Sequence, residues 1–123
     1  MSNANISLLT LSVVAAADLV TNRFVTQLGA YPTAGGVALG VTRSDGATGD
    51  MVPVDVLGTA TVEAGAAIAA NVPLMVTATG KVITHDGDGD KHALARSIDA
   101  AAGDGSVIEV LLVPTAGLLV TAA

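Results

Sequence analysis

Glycine divides the chain after residue 34 into short apolar runs, and this spacing constrains the fold more than any other feature of the sequence. From Gly35 to Gly105 the glycines recur at intervals of roughly 10 to 15 residues, which is the interval expected of strands joined by turns. The pattern predicts an all-β domain, mainly antiparallel, that forms a small barrel or sandwich. At most one or two short helices are expected, in the alanine-rich runs 64–70 and 93–102.

The runs between the glycines have the alternation of strands. In 51–56, three valines alternate with Met51, Pro53 and Asp55, which gives one continuous apolar face. Pro53 has no N–H to donate to a sheet, so this strand is expected at an edge. The run 107–113 is apolar on both faces, and we expect both to be covered, by the core of the domain or by another subunit.

The first 30 residues differ from the rest, because they contain no proline and one glycine, Gly29. We therefore divide the chain into an N-terminal strand or arm (1–30), a β-rich body (31–114) and an apolar C-terminal tail (115–123). The N-terminal segment is either a first strand with its connector or an arm that docks on a neighbouring subunit, since periodicity does not decide between strand and helix over 13–20.

Composition favours self-association. Hydrophobic residues make up 51% of the sequence, but they are mostly Ala, Val and Leu, and Phe24 and Tyr31 are the only aromatic residues. Burial of apolar surface stabilises a fold by about 25 cal/mol per Å², and each small side chain buries little of it. Burial between subunits would supply the missing stabilisation.

Charge and composition argue against several classes of function. The net charge is −6 and the five basic residues are scattered, so nucleic-acid binding is not expected. The apolar segments 6–20 and 107–123 are too short or too polar to span a membrane. No Lys or Arg precedes Arg23, so the first segment is expected in the mature protein rather than in a signal peptide. The lack of cysteine excludes disulfides and thiolate metal sites.

One acidic loop suggests a metal site. Asp86, Asp88 and Asp90 match the first carboxylates of a calcium-binding EF-hand loop, but Lys91 and Ser97 stand where that loop needs glycine and glutamate. The loop is therefore interpreted as a solvated turn, with a weak alternative of calcium binding. No arrangement of nucleophile and base is present, so neither an enzyme nor a cofactor is predicted.

The order of the motifs in the body resembles the small capsid cement, or decoration, proteins of tailed bacteriophages. The resemblance covers about 80 of the 123 residues. It is carried by Gly35-Gly36-Val37-Ala38-Leu39-Gly40-Val41, Val52-Pro53-Val54, Gly58, Val62-Glu63-Ala64-Gly65-Ala66-Ala67-Ile68, Gly80-Lys81-Val82, Ala93-Leu94-Ala95, Gly103-Asp104-Gly105 and Ile108-Glu109-Val110-Leu111-Leu112.

The resemblance implies a non-catalytic homotrimer made in the host cytoplasm, which sits on the outer surface of the virion capsid and clamps neighbouring major capsid subunits. We predict that both ends of the chain contact sister subunits or the shell, through Ile6, Leu8, Leu9, Leu11, Phe24, Tyr31, Leu118, Leu119 and Val120. The alternative function is a secreted or surface β-module that binds carbohydrate or calcium through the loop 86–90.

Overall fold

The computed structural model describes residues 6–87 and 91–113, and within them it contains eight strands and no helix. The strands are β1 (Ser7–Val14), β2 (Phe24–Val25), β3 (Gly40–Thr42), β4 (Met51–Glu63), β5 (Pro73–Val76), β6 (Val82–Thr84), β7 (Ala95–Ser97) and β8 (Val107–Leu112). Antiparallel pairs join them into one curled sheet with the form of a half-barrel. The predicted all-β class is confirmed.

The long strand β4 organises the sheet. Its first part pairs with β1 and β3, and its second part pairs with β8. The strand order is β2-β3-β4-β8-β7-β5-β6, with β1 attached to β4. The prediction that Pro53 marks an edge strand is wrong, because β4 has partners on both sides. Pro53 is tolerated because its nitrogen faces Arg43, just beyond the last residue of β3, and its carbonyl still accepts the Arg43 N–H at 3.0 Å.

The last strand in the order, β6, lies beside the end of β4, so this part of the sheet closes on itself. Ala64, directly after β4, forms a parallel bridge with Val82 of β6, and the N–H of Gly65 donates to the Val82 carbonyl at 2.8 Å. This closure encloses the larger core cluster. Its buried members are Phe24, Val41, Ala60, Val62, Ala64, Ile68, Leu74, Val76, Val82, Leu94, Ala95, Ala101, Ile108, Val110 and Leu112.

A second, smaller core cluster lies under β1. It consists of Val13, Ala15, Leu19, Val25, Val52 and Val54. The adjacent residues Phe24 and Val25 enter different clusters, so the two-residue strand β2 contributes to both. The described part of the N-terminal segment is thus a first strand and a packed connector of the same sheet.

The fold bears on two further sequence-based expectations. The alanine-rich runs contain no helix: Ala64 and Ile68 form β-bridges, and 93–102 includes β7. Of their alanines, Ala64, Ala95 and Ala101 are buried, whereas the others are exposed. Within the described residues, strand β8 buries one face through Ile108, Val110 and Leu112, while Val107 and Leu111 on the other face are exposed, so cover of that face by another subunit stays a prediction. Within the described residues, no helix is long and apolar enough to cross a membrane.

Candidate interaction surface

Strand β1 carries the most exposed apolar side chains of the N-terminal segment. Leu8 is 76% exposed and Ile6, directly before the strand, is 58% exposed, while Leu9, Leu11 and Val14 also face solvent. Val13 is the single buried residue of the strand. This eight-residue strand contains no charged residue, so its solvent-facing surface is unusually apolar for a surface strand.

The register of β1 on β4 distributes these side chains over both faces of the sheet. Val13 lies opposite Val52 and Leu11 opposite Val54, so Leu11 continues the face that contains the smaller core cluster. On the other face, Val14 lies opposite Met51, and both are exposed. Met51 therefore extends the apolar surface of β1 onto β4.

The polar centre of the β1–β4 pair is a buried carboxylate. Asp55 is 2% exposed, and the hydroxyl of Thr10, directly opposite on β1, donates to Asp55 Oδ1 at 3.0 Å. The Arg43 side chain reaches the same oxygen, with Nε at 3.5 Å. A buried carboxylate needs such partners, so this contact fixes the register of β1 on β4.

A second apolar surface lies on the outer face of β8. Val107, Leu111 and the following residue Val113 are each about half exposed. Leu111 lies between Thr59 of β4 and Arg96 of β7, so it stands in the middle of the sheet rather than at an edge. The sequence signal for this surface was the apolar run on both faces of 107–113.

The predicted interface residues fall into four groups. Leu8, Leu9 and Leu11 of β1 and Ile6, directly before it, are all exposed. Phe24 is 2% exposed inside the larger core cluster, so its assignment to an interface is corrected: burial leaves no side-chain surface for a partner. Tyr31 is partly buried against the smaller cluster, and its hydroxyl accepts the Val20 N–H at 3.0 Å. The predicted contacts of Leu118, Leu119 and Val120 lie outside the described residues.

Sequence reasoning missed several exposed apolar residues. Val14, Met51 and Val107 are each more than half exposed, and none was among the predicted interface residues. The signal for Met51 was the alternation in 51–56, which puts it on the face opposite the valines. The signal for Val107 was the apolar run on both faces of 107–113. Val14 carries no comparable signal, because a valine in a strand is equally common on a buried face.

The described part of the acidic loop is tied by an ion pair. Lys91 Nζ lies 2.7 Å from Asp86 Oδ2, and His85 Nε2 lies 2.9 Å from the Lys91 carbonyl oxygen. Asp88 and Asp90 lie outside the described residues. Within the described part of the chain, no group of three or more His, Asp or Glu side chains is arranged to hold a metal ion.

An ion-pair network joins the two ends of the half-barrel. The Glu63 carboxylate lies 3.0 Å from Arg23 Nη2 and 3.3 Å from Lys81 Nζ, which also reaches Asp104 at 2.9 Å. Burial opposes ionisation of Glu63, but the hydrogen bonds and positive charges of Arg23 and Lys81 outweigh it and lower its pKa. The hydrogen bonds to Asp104 and Glu63 raise the pKa of Lys81. This network ties the segments around β2, β4 and β6 to one another.

Comparisons with known proteins test the resemblance to the cement proteins. Residues 4–112 match the sequence profile of the phage cement protein family. The crystal structure of the head fiber gp8.5 N base in bacteriophage phi29 has a similar fold, with a TM-score of 0.68 and 16% sequence identity over 85% of this chain and 93% of that chain. No curated protein matches the sequence. The family match spans most of the chain and confirms the resemblance found in its motifs: this chain belongs to the phage cement protein family.

Proposed function

We propose that this protein cements the phage head from the outside, by binding the outer surface of the assembled shell and bridging neighbouring major capsid subunits as a homotrimer. Membership of the cement family establishes a structural role in the phage head. The outer placement, the bridging and the threefold assembly are the steps that the proposal adds. The phi29 neighbour, described as a head fiber base, supports a fold suited to a head-attached protein.

The observation that carries the proposal is the apolar surface of β1. Ile6, Leu8 and Val14 are each more than half exposed, although the same strand is firmly paired with β4. Covering such side chains gains about 25 cal/mol per Å² of apolar area. A rigid strand that presents uncharged side chains to solvent is therefore suited to docking on another protein.

The second apolar surface, on β8, supports self-association. Leu111 and Val113 lie next to the point where the apolar tail 115–123 begins. We assign contacts between copies to this surface and to Leu118, Leu119 and Val120 of a neighbouring copy. Such a contact joins two different patches, so it is heterologous, and with a threefold rotation between copies it closes into a ring of three.

Repetition over the shell explains how modest contacts suffice. A trimer whose three copies touch different capsid subunits binds with an effective concentration set by its own geometry, so each contact can be weak. Because the protein binds only the assembled shell, mass action shifts the shell away from rupture.

The experiment uses heads of the phage that encodes this chain, assembled without it. Purified protein is added, and bound protein is measured by co-sedimentation while head rupture is followed on heating. We expect saturable binding and a higher rupture temperature. Protein that stays in the supernatant and leaves the rupture temperature unchanged would contradict the proposal.

A further inference from the structure

The outer edge of β1 is a long strand edge to which no described residue is hydrogen-bonded. We propose that this edge accepts an extended segment of the major capsid protein as an additional antiparallel or parallel strand. The inference rests on the proposed function and specifies how the shell is recognised: by main-chain hydrogen bonds to β1, with its apolar side chains providing selectivity.

The hydrogen-bonding pattern identifies the groups that point outward. The Ala15 N–H donates to the Asp50 carbonyl at 2.8 Å, and the register continues as Val13↔Val52 and Leu11↔Val54. Because the backbone groups of successive residues alternate in direction, residues 11, 13 and 15 bond to β4. The backbone N–H and C=O groups of residues 10, 12 and 14 therefore point away from β4. Gly29 lies against the Val14 carbonyl oxygen and accepts the Ala16 N–H at 2.9 Å, so the open edge runs from Thr10 to the Val14 N–H.

This edge lacks the features that usually protect an exposed strand. Natural edge strands are commonly short or carry charged residues or proline, which discourage pairing with another chain. Strand β1 has eight residues, no charge and no proline. Its register shifts lie before Thr10, so the edge from Thr10 to Val14 is regular. A strand of this kind is expected to be covered in the assembled state.

Symmetry argues against a second copy as the occupant. Two β1 edges that pair with each other are related by a twofold axis, which uses up both edges and cannot close a threefold ring. Pairing in a ring would need a second free edge, but the outer sides of the short strands β2 and β6 are contacted by Gly80 and Gly65. In a trimer, the three β1 edges thus stay available for a different protein.

The surroundings of the edge indicate the chemistry of the partner segment. Asp18, Asp45 and Asp50 lie in the two loops beside the Val14 end of β1, which are joined by the bridge Leu19↔Gly46. These carboxylates accept hydrogen bonds from Thr48, Thr21 and Ala47, and no described basic side chain forms an ion pair with them. We therefore expect an extended apolar segment with Lys or Arg at the end that lies against these loops.

Ser12→Pro tests the edge directly. Proline at position 12 removes an outward N–H and leaves the hydrogen bonds to β4 intact, so the isolated protein should fold. Ser12→Ala is the matched control, because it changes the same side chain and keeps the N–H. We expect Ser12→Pro to bind the cement-free heads at least tenfold more weakly than wild type, and Ser12→Ala to bind like wild type.

Amide hydrogen exchange provides a second measurement that requires no variant. In the free protein, the amides of Thr10, Ser12 and Val14 should exchange fast, whereas those of Leu11 and Val13 should be protected by β4. On the heads, the three outward amides should become protected as well. This pattern distinguishes strand addition from contact through side chains alone.

The outcomes separate this inference from the proposed function. Wild-type protein that does not bind heads would overturn both. Binding of Ser12→Pro at wild-type strength, or outward amides that still exchange fast on heads, would overturn strand addition and leave the cement function standing. Outward amides that are already protected in the free protein would also overturn strand addition. If that protection depends on protein concentration, a second copy occupies the edge. If it is independent of concentration, the chain's own terminal residues occupy the edge.

Discussion

Arg23 Nη2 lies 3.0 Å from Glu63 Oε1, so the residue before β2 is fastened to the last residue of β4. Lys81, directly before β6, binds the other carboxylate oxygen at 3.3 Å. The network therefore spans the place where β6 meets the end of β4. One half-buried carboxylate connects three parts of the chain that are distant in sequence.

Replacement of Glu63 by Gln should loosen this closure. The amide keeps the shape of the side chain but removes the charge that Arg23 and Lys81 share, and we expect a loss of about 1 kcal/mol in the free energy of unfolding. Urea denaturation of the isolated protein provides the measurement. Asp104→Asn is the control: its side chain is 68% exposed, and its effect should be much smaller. Equal losses from the two variants would contradict a central role for Glu63.

Acid should weaken the same network. The folded-state pKa of Glu63 is below its ordinary value of 4.5, so its contribution is fully present above pH 4.5 and is lost as the pH falls through the lowered value. Wild-type protein should therefore lose stability below pH 4.5 more steeply than Glu63→Gln, since the variant lacks this titration. Thermal unfolding as a function of pH measures the difference. Parallel pH profiles would show that Glu63 does not contribute.

Phe24 should act as a core residue and not as a contact residue. It is the largest side chain of the larger core cluster. Its truncation to Ala is expected to lower the free energy of unfolding of the isolated protein by about 3 to 5 kcal/mol. Leu28→Ala is the matched control, because Leu28 is 74% exposed and should change stability by less than about 0.5 kcal/mol. A stable Phe24→Ala protein that fails only in binding heads would restore the interface assignment that the structure corrects.

The sequence predicted the strands better than their arrangement. Glycine spacing and alternation indicate the class of the fold, because both are local properties of the chain. The edge position predicted for Pro53 was wrong because a proline nitrogen is acceptable wherever the neighbouring strand ends. The end of β3 at Thr42 depends on the tertiary structure. The alanine-rich runs left short helices open for the same reason: tertiary contacts bury Ala64 and Ala95 in the larger core cluster, and this outweighs helix propensity.

The binding surface was half predictable. The apolar residues between Ile6 and Leu11 led to the prediction of a contact surface, and the structure exposes these side chains to solvent. Phe24 was included as the end of the N-terminal segment, but its side chain in β2 is buried in the larger core cluster. The free edge of β1 could not be read from sequence, because it depends on which strands lie beside β4.

Gly58 should be required for the docking of β1. It has a φ of +101°, and a Cβ at this position would collide with the carbonyl oxygen of Ile6. Gly58→Ala therefore combines backbone strain with displacement of the N-terminal end of β1, and we expect a loss of about 1 to 3 kcal/mol. Gly103→Ala is the control, since a Cβ added at Gly103 would have no heavy atom within 4 Å. Chemical denaturation compares the two, and a neutral Gly58→Ala would show that β1 can dock without this close approach.

The outer face of β8 should control self-association if it carries the contacts between copies. Leu111→Glu introduces a charge into the proposed interface, while Arg96, directly opposite on β7, provides a partner that preserves the single copy. We expect the wild-type trimer to dissociate in this variant, as measured by native mass spectrometry at micromolar concentration. Leu28→Glu is the control, because its side chain projects from a turn between β2 and β3 and should leave the trimer intact. A wild-type monomer, or a Leu111→Glu trimer, would show that the copies do not meet through β8.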